Sequence, residues 1–480
     1  MPTIDLSMIH SGTSGFRGQT NVEISVTHAL LVGDCFAAFL RQTLCRAPKL
    51  AVGHDQRNGA EALAAAAMAG ALAAGADVEW LGQVSTGVFS AVSFLGDEPM
   101  DGGILITGSH MGPERIGIIL MNRDGTYCDV EVTDVVERWL ETGRLHSARP
   151  LFLGKSHRVD TETSESIYLR ALVERLDVEG IRSLRFGEKN PKILIDPGNG
   201  TTGAVARALL VGLGCEVAQI FAEPKEVPDR ESECRASSCG EAMSRVVSEA
   251  CHLGVCFDGD GDRVLLIDER GKAVGEDLMG ALFAKHCVKR GEVVVTPVNS
   301  SRLIEVVCEK VGATVRYCKI GQPDTGTAIK RERAVFAYES SAKYAFPKDG
   351  FIWYDGVFAV AKLLEIMGRT DKPLSELIAD LPAFYHEEHG LEVPDSGKAQ
   401  VIARAVEVVR ASLRGDLIDV NTLDGTRINL TGHTYVMLRA SGTEPKVRLY
   451  VDGPSRERVS TLSSIALGIL QAAIMELKGE

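Results

Sequence analysis

Three segments of the chain repeat one layout: an apolar strand, a turn, a helix, then a glycine leading into another strand. The first runs Leu50-Ala51-Val52-Gly53, a helix over 60–74, then Gly75-Ala76-Asp77-Val78. The second runs Ile193-Leu194-Ile195-Asp196, a helix over 203–212, then Gly214-Cys215-Glu216-Val217. The third runs Val293-Val294-Val295-Thr296, a helix over 301–310, then Gly312-Ala313-Thr314-Val315. Strand, helix and strand at this spacing is a βαβ unit, which fixes parallel or mixed sheets covered by helices. Copies this far apart make three similar α/β domains rather than a solenoid.

The end of the chain differs. From about Phe384 a strand-like start is followed by a helix over 397–413, strands over 427–430 and 435–439, a loop over 440–445, a strand over 447–451 and a helix over 456–477. That order reads as a smaller α+β domain. The expected divisions are 1–158, 159–271, 272–383 and 384–480, with 144–159, which has mixed polarity and no period, as the clearest linker. A chain of 480 residues can form several cores. Its net charge of −13 argues against nucleic acid and anionic membrane as general partners. No basic stretch followed by an apolar run opens the chain, and the alanine- and glycine-rich stretch 62–78 reads as a packed helix rather than a span. Eleven scattered cysteines, an odd number, point to reduced thiols and a cytoplasmic location. Cys234, Cys239, Cys251 and Cys256 form two C-x4-C pairs, a zinc pattern in principle. Cys251 and Cys256 fall in an apolar stretch, which favours small buried hydrophobes.

Asp258-Gly259-Asp260-Gly261-Asp262-Arg263 joins two apolar runs, 253–257 and 264–267. Both read as short strands, so the acidic hexapeptide is a tight loop between them. Glycines let the backbone converge three carboxylates on one point, and carboxylates so close need a cation. Hard oxygen ligands suit Mg²⁺, which shares its shell with a phosphate. A solvated acidic turn is the plain rival, but apolar strands on both sides should half-bury the loop. An EF-hand requires glycine where Arg263 stands, and helices on its flanks.

Other stretches point to phosphate. The stretch 11–18, Ser-Gly-Thr-Ser-Gly-Phe-Arg-Gly, offers hydroxyls, backbone N–H groups and the fork of Arg17 to an anion. The stretch 439–445, Arg-Ala-Ser-Gly-Thr-Glu-Pro, adds a guanidinium, two hydroxyls and a glycine turn, with Lys446 and Arg448 nearby. The stretch 107–113, Thr-Gly-Ser-His-Met-Gly-Pro, follows a buried-looking strand over 103–106. There Ser109, beside His110, is a candidate nucleophile. A serine hydrolase is one reading of it, but the G-x-S-x-G elbow is missing and no acid partner is visible.

These four motifs, in this order and over nearly the whole chain, resemble the α-D-phosphohexomutase superfamily of phosphoglucomutases and phosphomannomutases; the 439–445 loop looks most like the phosphoglucosamine mutase version. The resemblance implies three similar α/β domains and a smaller α+β domain around a central cleft. It implies a phosphoserine at Ser109 that passes its phosphoryl group to a sugar monophosphate. The resulting bisphosphate turns over, and the serine recovers the other phosphate, so that phosphate moves between C1 and C6. It implies Mg²⁺ held by Asp258, Asp260, Asp262 and the group on Ser109, and a sugar bisphosphate as activator. Arg17 would offset the acidic loop's repulsion of substrate. Arg57 and Arg263 would help place the substrate, Glu339 and Ser341 would bind sugar hydroxyls, and Arg439, Ser441, Gly442, Thr443 and Arg448 would hold the non-reacting phosphate. The partner is a small sugar phosphate, and the assembly a monomer or homodimer.

The departures fall near the sugar and the proton. The family's serine loop reads T-A-S-H-N-P followed by N-G and a lysine. Here Gly108, Met111 and Gly112 differ, Ile116 replaces the asparagine and Ile119 the lysine, a general acid–base candidate in many members. After the sugar loop, Ala342-Lys343 stands where Gly-His is usual. Lys343 could supply the missing base if neighbouring cations depress it, or could simply pair with phosphate. A hexosamine or pentose phosphate therefore competes with glucose or mannose. A non-catalytic phosphosugar-binding homologue and a metal-dependent phosphatase are the readings from other classes.

Overall fold

The structure is a computed structural model that describes residues 11–12, 15–146, 152–442 and 445–478. The chain has the four-domain architecture expected: mixed α/β sheets in three domains, and a smaller antiparallel one at the end. It forms two compact units, residues 1–275 with 341–377, and residues 276–340 with 378–480.

The first unit holds two sheets. The larger has seven strands in the order Ser11–Gly12, Gly15–Gln19, Arg115–Asn122, Gly102–Thr107, Lys49–His54, Asp77–Gln83, Ser156–Arg158. Its centre is parallel and buried, and Arg115–Asn122 closes one side antiparallel to Gly102–Thr107. The alanine-rich stretch is helix Ala60–Ala73, 14 residues and so shorter than the roughly 20 of a span, followed by strand Asp77–Gln83. Its small residues let it approach helix Val26–Leu44 closely: a Cβ on Gly33 would lie 2.0 Å from the Ala67 carbonyl, and one on Gly70 1.9 Å from that of Leu30. The linker assignment over 144–159 needs correcting. Its end, Ser156–Arg158, pairs in parallel with Asp77–Gln83, and residues 147–151 lie outside the described set. A three-residue exposed strand carries no hydrophobic period, so pattern could not reveal it. The smaller sheet orders Val264–Ile267, Leu253–Phe257, Lys192–Asp196, Glu216–Gln219.

The second unit contains the third βαβ copy. Strand Val293–Pro297 runs parallel to both Thr314–Cys318 and Phe336–Glu339, with helix Leu303–Val311 between the first two. The C-terminal domain is a five-stranded antiparallel sheet, ordered Tyr385–Glu392, Lys446–Gly453, Thr434–Ala440, Thr426–Leu430, Leu417–Asn421. The last strand, Leu-Ile-Asp-Val-Asn, was not anticipated; it lies at an edge with none of its residues fully buried. Helix Arg456–Lys478 is apolar enough by length and composition to cross a membrane, but Val459, Leu462, Ala466, Leu470 and Ala473 recur at helical spacing and are buried in this domain's core.

Candidate active site

The serine loop and the acidic loop meet in the first unit. The acidic loop is the tip of an antiparallel hairpin, with Phe257 opposite Val264, which removes the EF-hand. Neighbouring backbone holds its carbonyls: Thr201 N donates to Gly259 O (3.0 Å), Thr86 N to Asp260 O (2.9 Å) and Gly356 N to Gly261 O (3.0 Å). Of the two glycines only Gly261 needs positive φ (75°), and a side chain there would strike Thr202. Gly259 is small for a different reason: a Cβ would come 2.9 Å from the Ser109 carbonyl. So constrained, the loop brings one oxygen from each of Asp258, Asp260 and Asp262 within 4.8 Å of one another, all buried.

Ser109 closes this cluster. It leaves strand Gly102–Thr107 in the left-handed region (φ 45°), and its Oγ donates to Asp258 Oδ2 at 2.8 Å. Thr107 Oγ1 accepts from Ser109 N (2.9 Å) and donates to Asp260 Oδ2 (2.8 Å). Asp258 Oδ1 accepts from the backbone N–H of Gly261 and of Arg263, each at 3.1 Å. Burial, followed by repulsion from Asp262 and Asp260, raises the Asp258 carboxyl well above the usual range. Burial and Asp262 push Asp260 up to about 6. Asp260 Oδ1 is buried and accepts no hydrogen bond among the described residues. Three converging carboxylates with an orphaned oxygen fit a hard divalent cation, and Mg²⁺ suits that all-oxygen donor set.

Cations surround the cluster. Lys343 Nζ donates to Asp262 Oδ2 at 2.8 Å and lies 5.6 Å from the Tyr354 ring centroid, so this position pairs with the metal loop itself. Arg263 Nη1 pairs with Glu233 Oε1 at 2.7 Å, while Nη2 donates to His110 Nδ1 at 3.0 Å. Burial and then Arg263 press the His110 imidazole down to about 2. His110 is thus a neutral ring whose Nδ1 is already an acceptor, at 3.4 Å from Ser109 Oγ. Arg17 is half-buried on strand Gly15–Gln19, its Nε buried and without a hydrogen-bond partner among the described residues, and desolvation lowers its pKa. It lies where Asp262, Asp260 and Arg263 all act on its charge.

Arg57 has a different environment from the one its sequence position suggested. Its buried guanidinium donates to the carbonyls of Ser109 (2.6 Å), Met111 (2.7 Å) and Arg115 (2.9 Å), and to that of Gly112. Its Nε lies 3.2 Å from Asp55, which in turn accepts from Gly108 N at 2.8 Å. A Cβ on Gly108 would lie 2.2 Å from the Arg57 Cζ, which explains glycine in place of the family's alanine. Ile119 is buried in strand Arg115–Asn122, opposite Leu105, so the position of the usual lysine contributes packing.

The remaining candidates lie apart or in the second unit. Glu339 ends strand Phe336–Glu339, buried, with Thr325 Oγ1 at 3.4 Å. Ser341 falls on the first-unit side of the chain crossing between 340 and 341. Arg439 and Arg448 are direct cross-strand partners. Arg439 pairs with Asp424 at 2.9 Å and Arg448 with Glu388. Like charges directly opposite are unfavourable in themselves, and an anion between them would relieve that. Lys398 Nζ donates to Ser441 O at 2.7 Å, and Gly442 ends the described part of the loop; Thr443 lies outside the described residues. The four cysteines do not converge. All are buried in one hydrophobic cluster, and Asp196, which lies near Cys239 and Cys256, is already bound by Arg230 Nε at 2.9 Å.

Sequence reasoning missed Thr107, Asp55, Glu233 and Ser232, whose Oγ accepts from Arg57 Nη2 at 3.4 Å. Asp55 and Thr107 sit inside motifs that were read for their neighbours. Glu233 and Ser232 belong to an irregular stretch where no period marks a partner.

Four family models match the chain in order: phosphoglucomutase/phosphomannomutase α/β/α domain I over residues 8–146, domain II over 166–271, domain III over 275–385 and the C-terminal domain over 390–464. The chain is 30% identical to a probable phosphoglucosamine mutase of Methanopyrus kandleri, over 97% of this chain and 99% of that protein. It is 31% identical to a phosphopentomutase of Thermococcus kodakarensis, over 97% and 98%. A phosphoglucomutase/phosphomannomutase family protein of Burkholderia thailandensis has the same fold, with a TM-score of 0.84 over 98% of each chain at 24% identity.

Proposed function

Because the chain belongs to the phosphoglucomutase/phosphomannomutase family, we propose that it is an intramolecular phosphotransferase of the isomerase class, a phosphosugar mutase that moves a phosphoryl group between C1 and C6 of a hexose phosphate. The observation that carries the reading is Ser109 Oγ, hydrogen-bonded at 2.8 Å to the buried carboxylate cluster. A serine hydroxyl beside three carboxylates is a poor place for an anion unless a cation is shared between them. Mg²⁺ held by Asp258, Asp260 and Asp262 would neutralise charge on the transferring phosphoryl group.

The chain's own residues do the rest. Arg17, Arg263 and Lys343 add positive charge around the phosphoryl position. Arg57 holds the serine loop's carbonyls and keeps Ser109 in its left-handed conformation. When the phosphoryl group returns to Ser109, the serine hydroxyl gives up its proton and the departing sugar oxygen takes one up, so the transfer needs no net proton. Glu339 is offered for sugar hydroxyls, and the paired Arg439 and Arg448, with Ser441 and Gly442, for the phosphate that does not react. All eleven cysteines are unpaired, which supports a reducing, cytoplasmic setting. The four domains, divided at 158, 271 and 383, are part of the same proposal.

A second reading, a hexosamine or pentose phosphate as substrate, is favoured by Ile119 and Lys343 and by the likeness to mutases of those sugars. The test is ³¹P NMR of the protein with Mg²⁺ and a trace of sugar bisphosphate, across glucose, mannose, glucosamine, N-acetylglucosamine and ribose monophosphates. Transfer of phosphate between positions of one sugar, absent in Ser109→Ala, is expected. Free phosphate alone would replace the mutase with a phosphatase, and no turnover at all would leave a phosphosugar-binding homologue.

A further inference from the structure

In the first α/β domain, outside the serine and acidic loops, three side chains of metal-ligating type come together. Asp34 and Cys35 are consecutive on helix Val26–Leu44, and His146 follows helix Val130–Glu141. Asp34 and Cys35 are wholly buried, while a quarter of the His146 side chain is exposed. His146 Nδ1 lies 2.9 Å from Asp34 Oδ2 and 3.9 Å from Cys35 Sγ. Tetrahedral zinc with ordinary bond lengths would set those separations at roughly 3.4 and 3.6 Å. Both pairs that include His146 are therefore within about half an ångström of a bound geometry, and all three ligand atoms lie within 4.8 Å of one another.

A simple His146–Asp34 pair accounts for only part of this. Asp34 Oδ1 is buried and receives no hydrogen bond among the described residues, so half of a fully buried carboxylate is unsatisfied. The imidazole is fixed in advance: His146 N donates to Asp34 Oδ2 (2.6 Å), Trp139 stacks on the ring (4.5 Å) and Arg41 Nη2 donates to His146 O (3.2 Å).

The geometry points to a structural zinc site formed by Asp34, Cys35 and His146, with water as the fourth ligand on the exposed side. Thiolate and imidazole select a borderline-soft ion, whereas the all-oxygen triad selects Mg²⁺. On binding, Cys35 forms the S–Zn bond and releases its thiol proton to solvent. His146 moves its proton from Nδ1, where it now faces Asp34 Oδ2, to Nε2 through solvent, and gives the Nδ1 lone pair. The bound ion ties helix Val26–Leu44 to the end of the first domain's matched segment.

The full-length protein, stripped of metal and then given excess Mg²⁺, is titrated with Co²⁺ and followed by absorption spectroscopy. One equivalent producing a thiolate-to-cobalt charge-transfer band and tetrahedral d–d bands, displaced by Zn²⁺, is expected. Cys35→Ser should remove the charge-transfer band, and His146→Gln should weaken Zn²⁺ binding at least about tenfold. Cys256→Ser should leave both unchanged. Absence of the band in the wild type, or its survival in Cys35→Ser, overturns the site. Should Cys35→Ser fail to fold, unchanged Zn²⁺ affinity in the partly exposed His146→Gln overturns it instead.

Discussion

Replacing Arg57 by lysine separates a residue that touches substrate from one that holds the loop that does. The guanidinium reaches four carbonyls between Ser109 and Arg115 and lies against Asp55. An ammonium on a similar stem can serve one or two of these, so two or more charge-assisted hydrogen bonds are lost, each worth about 1.5–3 kcal/mol. Water can replace part of that at the loop's exposed turn near Gly112, so we expect a global loss of roughly 1–3 kcal/mol in urea unfolding. The rest appears locally. Ser109 sits at φ 45°, a conformation costing on the order of 1 kcal/mol for a residue with a side chain, and released carbonyls let it relax. A displacement of about 1 Å at a reacting atom costs on the order of a hundredfold in rate. The expected result is a kcat at least tenfold lower (about 1.4 kcal/mol) with little change in KM. The coupled position gives a sharper test. Gly108→Ala would place a Cβ 2.2 Å from the Arg57 Cζ, so it should be far more harmful in wild type than beside Arg57→Ala. A double-mutant cycle should show a coupling above about 1 kcal/mol. Additive effects, or a raised KM with kcat intact, would refute the clamp and return Arg57 to the substrate.

Lys343→Met should abolish any rate-limiting proton transfer that lysine performs; if kcat and its pH profile are unchanged, the residue serves only its pair with Asp262. Burial pushes the Asp355 carboxyl up to about 6 from an ordinary 3.8. The folded state therefore holds the proton more tightly, and this stabilising contribution, full below about pH 4, is lost as pH rises through about 6. Asp355→Asn keeps an oxygen for Tyr168 and Phe358 N and should flatten that decline, a difference of roughly 1–3 kcal/mol near neutrality in urea unfolding; parallel pH curves would contradict it. Arg427→Met should destabilise the second unit by about 3 kcal/mol, since its buried guanidinium lies 4.0 Å from the Tyr435 ring centroid and 4.4 Å from that of Tyr317 and donates to Val298 O at 2.6 Å.

The three βαβ units and the metal loop were legible because their signals are local. Apolar strands of four or five residues, helical spacing, and glycines next to carboxylates all survive in one stretch of sequence. Ser109 and the aspartates could be named for the same reason, although 149 positions separate the hydrogen-bonded Ser109 and Asp258. What sequence could not show was how each side chain is used. The resemblance gives Arg57 a part in placing the substrate; that it also holds the serine loop's carbonyls is visible only in the fold. His110 is a catalytic candidate by its place beside Ser109, but Arg263, which occupies its Nδ1, arrives from 153 positions away. Strands Ser156–Arg158 and Leu417–Asn421 escaped because edge strands bury little and so carry no period.

Arg427 lies on a strand of the C-terminal sheet, yet it donates to Val298 beside the third domain's central strand and stacks on that domain's Tyr317. Tyr435 Oη donates to Asn299 O at 2.6 Å, and Arg302 N donates to Asp452 at 2.8 Å, within the same compact unit. The third and fourth domains are thereby riveted together. Glu339 belongs to one and the Arg439–Arg448 pair to the other, so if they hold sugar hydroxyls and the resting phosphate as proposed, the span between them is a fixed gauge. A ligand of the wrong length would have to strain itself, because the rivet leaves the protein little freedom to adjust, and sugar size could be measured without any residue touching the atom that differs.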